Sequence, residues 1–161
     1  LYDAKTTLRS TVLVPTAKVG PQPWKYTTDA PAEGWHQPDF DDSAWTTGMS
    51  AFGAKRTDIV PVNTVWNTAN IHLRKEFNLA EAPTGEIWLD VLHDDDVEVF
   101  LNGKSVLKLP NRVGNYQLNP LGPEAVQALK PGKNVIAVSC RQDRGGQNVD
   151  VGVLQVDKVA P

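Results

Sequence analysis

The sequence has one cysteine, a small net charge and no long apolar segment. Each of these features excludes a class of protein. With Cys140 alone among 161 residues, no intramolecular disulfide can form. The net charge is −3, and the lysines and arginines are spread singly along the chain, which argues against nucleic acid as a partner. No apolar run approaches the ~20 residues that cross a bilayer, so we expect no membrane-spanning segment.

The sequence also lacks the short motifs that usually mark an active site. It contains no Gly-x-Ser-x-Gly elbow, no His-Glu-x-x-His pair, no phosphate-binding glycine loop and no zinc-ligand spacing. Carboxylates are plentiful, but glycoside hydrolysis needs two of them held across a substrate cleft. We therefore predict that the chain is not itself an enzyme and that no cofactor is certain.

The most informative segment that is present runs from Asp94 to Val106. Val97, Val99 and Leu101 alternate with more polar residues, which is the period of a two-faced β-strand. Asn102-Gly103 then supplies the two residues that favour a type I′ turn, so we expect a hairpin with a return strand over Lys104–Leu109. Three acidic residues precede this hairpin strand.

Short strands with defined turns account for most of the remaining sequence. Twelve prolines and twelve glycines are spread evenly, and one short helix is expected near residues 123–130. Because strand patterns recur without intervening helices, we predict an all-β, antiparallel β-sandwich. The other strands are expected at residues 11–14, 71–77, 86–92, 135–141 and 149–156, with Cys140 buried and inert in the fourth of these.

Five segments, taken in order, carry a resemblance to a known family. They are Trp35-x4-Phe40-Asp41-Asp42-Ser43-x-Trp45, Ala51-Phe52-Gly53, Ile71-His72-Leu73-Arg74-Lys75-Glu76-Phe77, the Asp95–Gly103 hairpin, and Gly132-Lys133-Asn134-Val135-Ile136-Ala137-Val138. They resemble the galactose-binding-like jelly-roll domains, particularly the accessory and sugar-binding domains of large bacterial glycoside hydrolases. The resemblance implies a non-catalytic sandwich of about eight strands, attached to a catalytic module and often associated with carbohydrate.

Several conspicuous residues have both a structural and a functional interpretation. Trp35, Phe40 and Trp45 are expected to fix their loop onto the sandwich, with Asp41-Asp42-Ser43 forming a turn. Arg74 is expected to bond to the acidic segment or to carbonyl groups rather than to a ligand. Asp94, Asp95 and Asp96 would suit a calcium ion; the alternative is that they cap the strand and form an ion pair with Arg74 or Arg141.

The leading functional hypothesis is a carbohydrate-binding or carbohydrate-associated accessory domain, with its ligand site in loops at one end of the sandwich. Trp66 is predicted to be the exposed tryptophan on which a sugar stacks. The alternative is a structural module that packs against its parent catalytic domain, of glycoside hydrolase or glutaminase-like type, through an exposed apolar patch that includes tryptophan. The predicted ligand-binding residues are Trp66, Asn67, His93, Asp95, Arg141, Asp143, Arg144 and Gln147.

The chain opens at Leu1-Tyr2-Asp3-Ala4 without a methionine and stops at Pro161, so we expect a segment of a longer protein. Residues 1–20 are expected to be a lead-in from that protein, and residues 21–158 to form the β-sandwich. The expected location is secreted, periplasmic or on the cell surface, as part of a multidomain hydrolase.

Overall fold

The computed structural model describes residues 6–159, which form twelve β-strands, one α-helix and one 3₁₀ turn. Expectations drawn from the first four residues and from Pro161 lie outside the described residues. The elements are β1 (Thr7–Val14), the 3₁₀ turn (Ala17–Val19), β2 (Pro23–Thr27), β3 (Thr46–Met49), β4 (Phe52–Gly53), β5 (Thr64–Val65), β6 (Asn70–Leu79), β7 (Glu86–Asp94), β8 (Asp96–Leu101), β9 (Lys104–Leu109), β10 (Gln117–Pro120), α1 (Pro123–Ala128), β11 (Gly132–Arg141) and β12 (Asn148–Val159).

The strands form two six-stranded sheets. Sheet 1 has the order β10-β7-β12-β4-β5, and β1 pairs with the edge of β12 that β4 also uses. Sheet 2 has the order β3-β2-β6-β11-β8-β9. Every pairing is antiparallel except that of β4 with β5. The all-β antiparallel sandwich predicted from the sequence is therefore confirmed.

The core lies between the two sheets and is built from the alternating apolar residues of their strands. Because successive side chains of a strand point to opposite faces, one set of positions from each strand faces inward. Ile71, Leu73 and Phe77 of β6 are buried there, as the sequence pattern predicted. Sheet 1 supplies Ile87, Leu89 and Val91 from β7, with Val149, Val151 and Val153 from β12.

The predicted hairpin is present with the predicted turn. Asn102 has a φ of 47° and Gly103 a φ of 84°, the two positive values that a type I′ turn requires. The Asn102 side chain accepts a hydrogen bond from the backbone N–H of Val135 and donates one to the carbonyl of Ala128. The turn is thereby tied to the centre of sheet 2 and to the end of α1.

The strand inventory is larger than the resemblance implied. Eight strands have five or more residues, and the other four, β3, β4, β5 and β10, have between two and four. The strand expected at residues 11–14 begins earlier, at Thr7, and pairs with β12. The described part of residues 1–20 thus contributes to sheet 1, while the domain boundary at residue 21 stays a prediction.

The remaining sequence expectations concern the cysteine and the helix. Cys140 is buried on β11, and burial raises the pKa of its thiol to about 12, so the group stays protonated. The short helix falls where proline and glycine indicated, with Pro123 in its first turn. No helix within residues 6–159 is long and apolar enough to span a membrane.

Candidate ligand-binding groove

The predicted ligand residues come from three segments that meet at one end of the sandwich. Residues 66–70, 93–96 and 141–147 are joined there by backbone hydrogen bonds. The N–H of Asp95 donates to the carbonyl of Arg141 at 3.1 Å, and the N–H of Gln142 donates to the carbonyl of Ala69 at 2.8 Å. The sequence therefore grouped residues that are close in space, although their roles differ from those expected.

The prediction that Trp66 is an exposed stacking platform is wrong. Its side chain is 1% exposed and belongs to the main core. The backbone N–H of Trp66 donates to the carbonyl of Gly53 at 2.8 Å, directly after the short pairing of β5 with β4. This pairing directs the indole inward, whereas the small polar neighbours in the sequence suggested an open loop. Asn67, the next residue, is exposed.

His93 and Gln147 are also buried, and their side chains hold loops together. A hydrogen bond of 2.7 Å joins His93 Nδ1 to the carbonyl oxygen of Asp95. The Gln147 side chain donates to the carbonyl of Thr68 at 2.6 Å. Both residues are less than a tenth exposed, so we assign them to the structure of this end of the sandwich rather than to ligand contact.

Asp95 holds the loop that follows β11. Its Oδ2 accepts hydrogen bonds from the backbone N–H groups of Asp143, at 2.7 Å, and Arg144, at 3.1 Å. These bonds hold the pKa of the Asp95 carboxyl below its usual value, the contact with Asp143 contributing most. The side chains of Asp143 and Arg144 remain exposed at the rim.

The other two acidic residues of the triplet have separate surroundings. Asp96 forms an ion pair with Arg141 at 2.9 Å and accepts from the N–H of Asn111 at 2.7 Å, so the predicted link to Arg141 is present. Burial, and then the Asp95 charge, raise the pKa of Asp94 to about 6. Within residues 6–159 no group of three or more His, Cys, Asp or Glu side chains could hold a metal ion. Asp95 and Asp96 thus act as loop anchors, Asp94 lies buried with its Oδ1 without a hydrogen-bond partner among the described residues, and the calcium interpretation has no support in this geometry.

A groove of about 440 Å³ crosses the outer face of sheet 2 beside these anchors, and we call it the sheet-2 groove. Its floor contains one row of facing residues on four neighbouring strands. Ser139 of β11 faces His72 of β6 on one side and Glu98 of β8 on the other, and Glu98 faces Lys108 of β9. A second row, Asn70, Arg141 and Asp96, lies nearer the end of the sandwich.

The 34–45 loop covers the adjoining part of the same sheet face and limits the groove there. Its Trp35 ring packs edge-on against His72 at 4.8 Å and against Phe100 at 5.6 Å. Trp35 also stacks with Trp45, and Phe40 packs edge-on against Trp45. The predicted role of these three aromatic residues in fixing the loop is therefore confirmed.

Arg74 of β6 holds this loop against sheet 2 through hydrogen bonds. Its guanidinium donates to Asp42 Oδ2 at 2.9 Å and to the carbonyls of Trp35 and Gln37 at 2.6 and 2.8 Å. A fourth bond, of 3.3 Å, reaches the carbonyl of Phe40. The expectation that Arg74 bonds to carbonyls is confirmed, but the carboxylate that it meets is Asp42 and not the acidic triplet.

The groove contains two cations and two anions. Arg141 and Lys108 are its cations, and Asp96 and Glu98 are its anions. The Asn111 N–H and Arg141 hold the pKa of Asp96 below its usual value, so this carboxylate is ionised at neutral pH. Burial lowers the pKa of His72, which leaves a neutral ring whose Nδ1 has no hydrogen-bond partner.

Four polar residues of the groove floor were missed by the sequence analysis. His72, Ser139, Glu98 and Lys108 stand at alternate, outward-facing positions of strands that the sequence did predict. Their alternation with buried residues marks the outer face, but the row they form depends on the register between distant strands. Of the predicted residues, Arg141 and Asp96 line the groove.

Comparison with known proteins identifies the fold. No family model matches the sequence. An α-L-rhamnosidase of Streptomyces avermitilis is 31% identical over 128 residues, which cover 71% of this chain and 11% of the rhamnosidase. A glycosyl hydrolase family 2 member from Bacteroides cellulosilyticus superposes with a TM-score of 0.61 at 18% identity, covering 92% of this chain and 20% of that one. A β-glucuronidase of Bacteroides uniformis gives a TM-score of 0.61 at 15% identity over 96% and 18% of the two chains.

The chain has the fold of one small domain of larger glycoside hydrolases. The resemblance to a small domain of such enzymes is thereby confirmed as a likeness of fold. The chain spans about a tenth of the rhamnosidase and about a fifth of the two solved structures. Their activities belong to those whole proteins.

Proposed function

We propose that this chain is a non-catalytic, carbohydrate-binding accessory domain of a larger bacterial hydrolase, and that the sheet-2 groove is its ligand site. The observation that carries the proposal is the polar row of the groove floor. Sugar hydroxyls pair with carboxylates, guanidinium groups and hydroxyls, all of which occur there. Leu109 and Pro110 add apolar surface at one edge, against which a sugar ring can rest.

The arrangement of the carboxylates supports a role without catalysis. Asp96 and Glu98 lie two positions apart on one strand and point to the same side. Glycoside hydrolysis requires two carboxyl groups that flank the scissile bond. We therefore expect no turnover when the chain is assayed with aryl glycosides.

The proposed setting is a longer, multidomain protein. In the rhamnosidase a similar sequence makes up a small part of a much longer chain, and in the solved structures a similar fold does so. A secreted, periplasmic or cell-surface location would give such a protein access to glycan polymers, and it stays a prediction.

Binding to a glycan array, followed by calorimetry, tests the proposal. We expect affinity near the millimolar range, which is about −4 kcal/mol. Arg141→Ala should weaken binding about tenfold, because it removes a charged hydrogen-bond donor from the groove. The matched control is Arg9→Ala, the same change at an exposed position of β1 on sheet 1. Absence of millimolar binding to any glycan of the array would refute carbohydrate binding.

A second candidate function, a structural module, has support from the opposite sheet. Val12, Val19 and Leu118 are 57%, 77% and 53% exposed, and all three line a cavity of about 630 Å³ on sheet 1. We call these three residues the sheet-1 patch. Contiguous exposed apolar surface commonly marks an interaction site. The patch contains no exposed tryptophan, contrary to expectation: Trp24 and Trp66 are buried, and Trp35, Trp45 and Trp88 are half-buried.

This second candidate is tested in the longer protein that the proposal requires. Val12→Lys combined with Leu118→Lys should separate thermal unfolding of this domain from that of its neighbour, because the contact surface becomes charged. Lys25→Ala on sheet 2 is the control and should leave a joint transition unchanged. Unfolding that is equally coupled with and without the two lysines would count against packing through this surface.

A further inference from the structure

We infer that the sheet-2 groove selects an uncharged oligosaccharide of at least two rings and disfavours a uronate-containing one. The inference rests on the proposed function and adds the ligand's charge and length. It concerns the groove alone, although several solved structures that share the fold belong to β-glucuronidases.

The pairing of the groove charges argues against an anionic ligand. The Arg141 guanidinium is already bound to Asp96 at 2.9 Å. Glu98 accepts a hydrogen bond from Ser105 at 2.8 Å and faces Lys108 across the strand pair. A uronate carboxylate would therefore enter beside two anions, and of the two cations Arg141 is already paired with Asp96. Hydroxyl groups, which donate as well as accept, can bond to both kinds of group without this repulsion.

The length of the groove argues for more than one ring. Its floor crosses β6, β11, β8 and β9, and three strand spacings amount to about 14 Å. The row presents an imidazole, a hydroxyl, a carboxylate and an ammonium group in succession. One pyranose ring can reach only adjacent members of such a row, whereas two or three linked rings can contact all four.

The aromatic residues near the groove also favour a ligand of more than one ring. Trp35, the tryptophan that contacts the floor through His72, is half-buried against Phe100 and Trp45. A single ring therefore finds no fully exposed indole on which to stack. Affinity has to accumulate from several polar contacts along the row, which favours a longer ligand.

The test is a calorimetric titration of the chain with cellotriose, mannotriose and galactotriose, with their monosaccharides, and with each trisaccharide oxidised at its terminal C6 to a carboxylate. We expect a neutral trisaccharide to bind at least tenfold more tightly than its monosaccharide. We expect the oxidised form to bind about fivefold more weakly, the effect of a like charge near 4 Å in water. Glu98→Gln should remove most of that discrimination, whereas the control Glu81→Gln, at an exposed position outside the groove, should leave it unchanged.

The outcomes separate this inference from the function on which it rests. Equal or tighter binding of the oxidised trisaccharide, or of the monosaccharide, would overturn the inference while leaving carbohydrate binding intact. Discrimination that survives in the double variant Glu98→Gln/Asp96→Asn would also overturn it, because the charge would then be sensed outside the groove. Absence of binding by all of the sugars, together with a blank glycan array, would overturn both.

Discussion

Replacement of Arg74 by alanine is the most direct test of how the 34–45 loop is held against sheet 2. The Arg74 side chain is 1% exposed and donates hydrogen bonds to one carboxylate and three carbonyls of that loop. In Arg74→Ala these acceptors lose their donor, and Asp42 loses its ion pair. The aromatic contacts of Trp35 with His72 and Phe100 then hold the loop without the hydrogen bonds of Arg74.

The magnitude follows from the burial of the two partners. Removal of one partner from a buried ion pair costs about 3–5 kcal/mol. The Asp42 side chain is 23% exposed, so water can partly rehydrate it, and the lower end of that range applies. We therefore expect Arg74→Ala to lower the free energy of unfolding by about 3 kcal/mol. For a chain of this length that corresponds to a decrease in Tm of roughly 6–12 °C.

Urea denaturation, supported by hydrogen exchange of the loop amides, measures this effect. Arg74→Lys keeps the charge but not the planar fork, and should lose an intermediate amount. Arg9→Ala, at an exposed position of β1, should stay within about 0.5 kcal/mol of the parent chain. A loss below about 1 kcal/mol in Arg74→Ala, with unchanged exchange in the loop, would refute the fastening role given to Arg74.

Three further predictions concern buried positions. Burial raises the pKa of Asp150 to about 6, so the folded state holds this proton more tightly than the unfolded state, and the contribution of Asp150 to stability should fall as pH rises from 4 to 7. Asp150→Asn should lack this part of the decline, about 2 kcal/mol between unfolding measured at pH 4 and at pH 7, while the part due to Asp94, whose pKa is also raised to about 6, should remain. Gly53→Ala would place a Cβ atom 2.7 Å from the carbonyl oxygen of Gln147 and should cost about 1–3 kcal/mol in urea unfolding, whereas Gly114→Ala meets no atom within 4 Å and should be nearly neutral. The Cys140 thiol should resist Ellman's reagent in the folded protein and react on unfolding in urea; rapid reaction under native conditions would contradict its burial.

The parts of the fold that local sequence determines were predicted well. The Asn102-Gly103 turn needs positive φ at two adjacent positions, which few residue pairs supply. The position of the turn could therefore be predicted directly from the sequence. The alternation in β6 and β7 identified their buried faces because a strand has a period of two. The short helix was marked by Pro123 at its start. In each case the deciding interactions lie within a few residues.

The candidate site was only partly predictable because it depends on contacts between distant segments. The environment of Trp66 is set by the pairing of β5 with β4, two strands of two residues each that leave almost no sequence pattern. The row through Ser139 exists only in the register that joins β11 to β6 and β8. Sequence reasoning placed the acidic triplet and Arg141 together correctly, but it could not distinguish loop anchors from ligand contacts.

The two outer faces of the sandwich differ in chemistry, so the two candidate functions can be tested independently. Sheet 1 presents the apolar sheet-1 patch, whereas sheet 2 presents the charged and hydroxyl-bearing floor of the sheet-2 groove. The core separates them, and substitutions at sites this far apart usually act additively. A domain that packs through Val12 and Leu118 would therefore leave the groove open to a glycan. For this reason Arg141→Ala should alter sugar binding without altering domain coupling, and the paired lysines on sheet 1 should do the reverse.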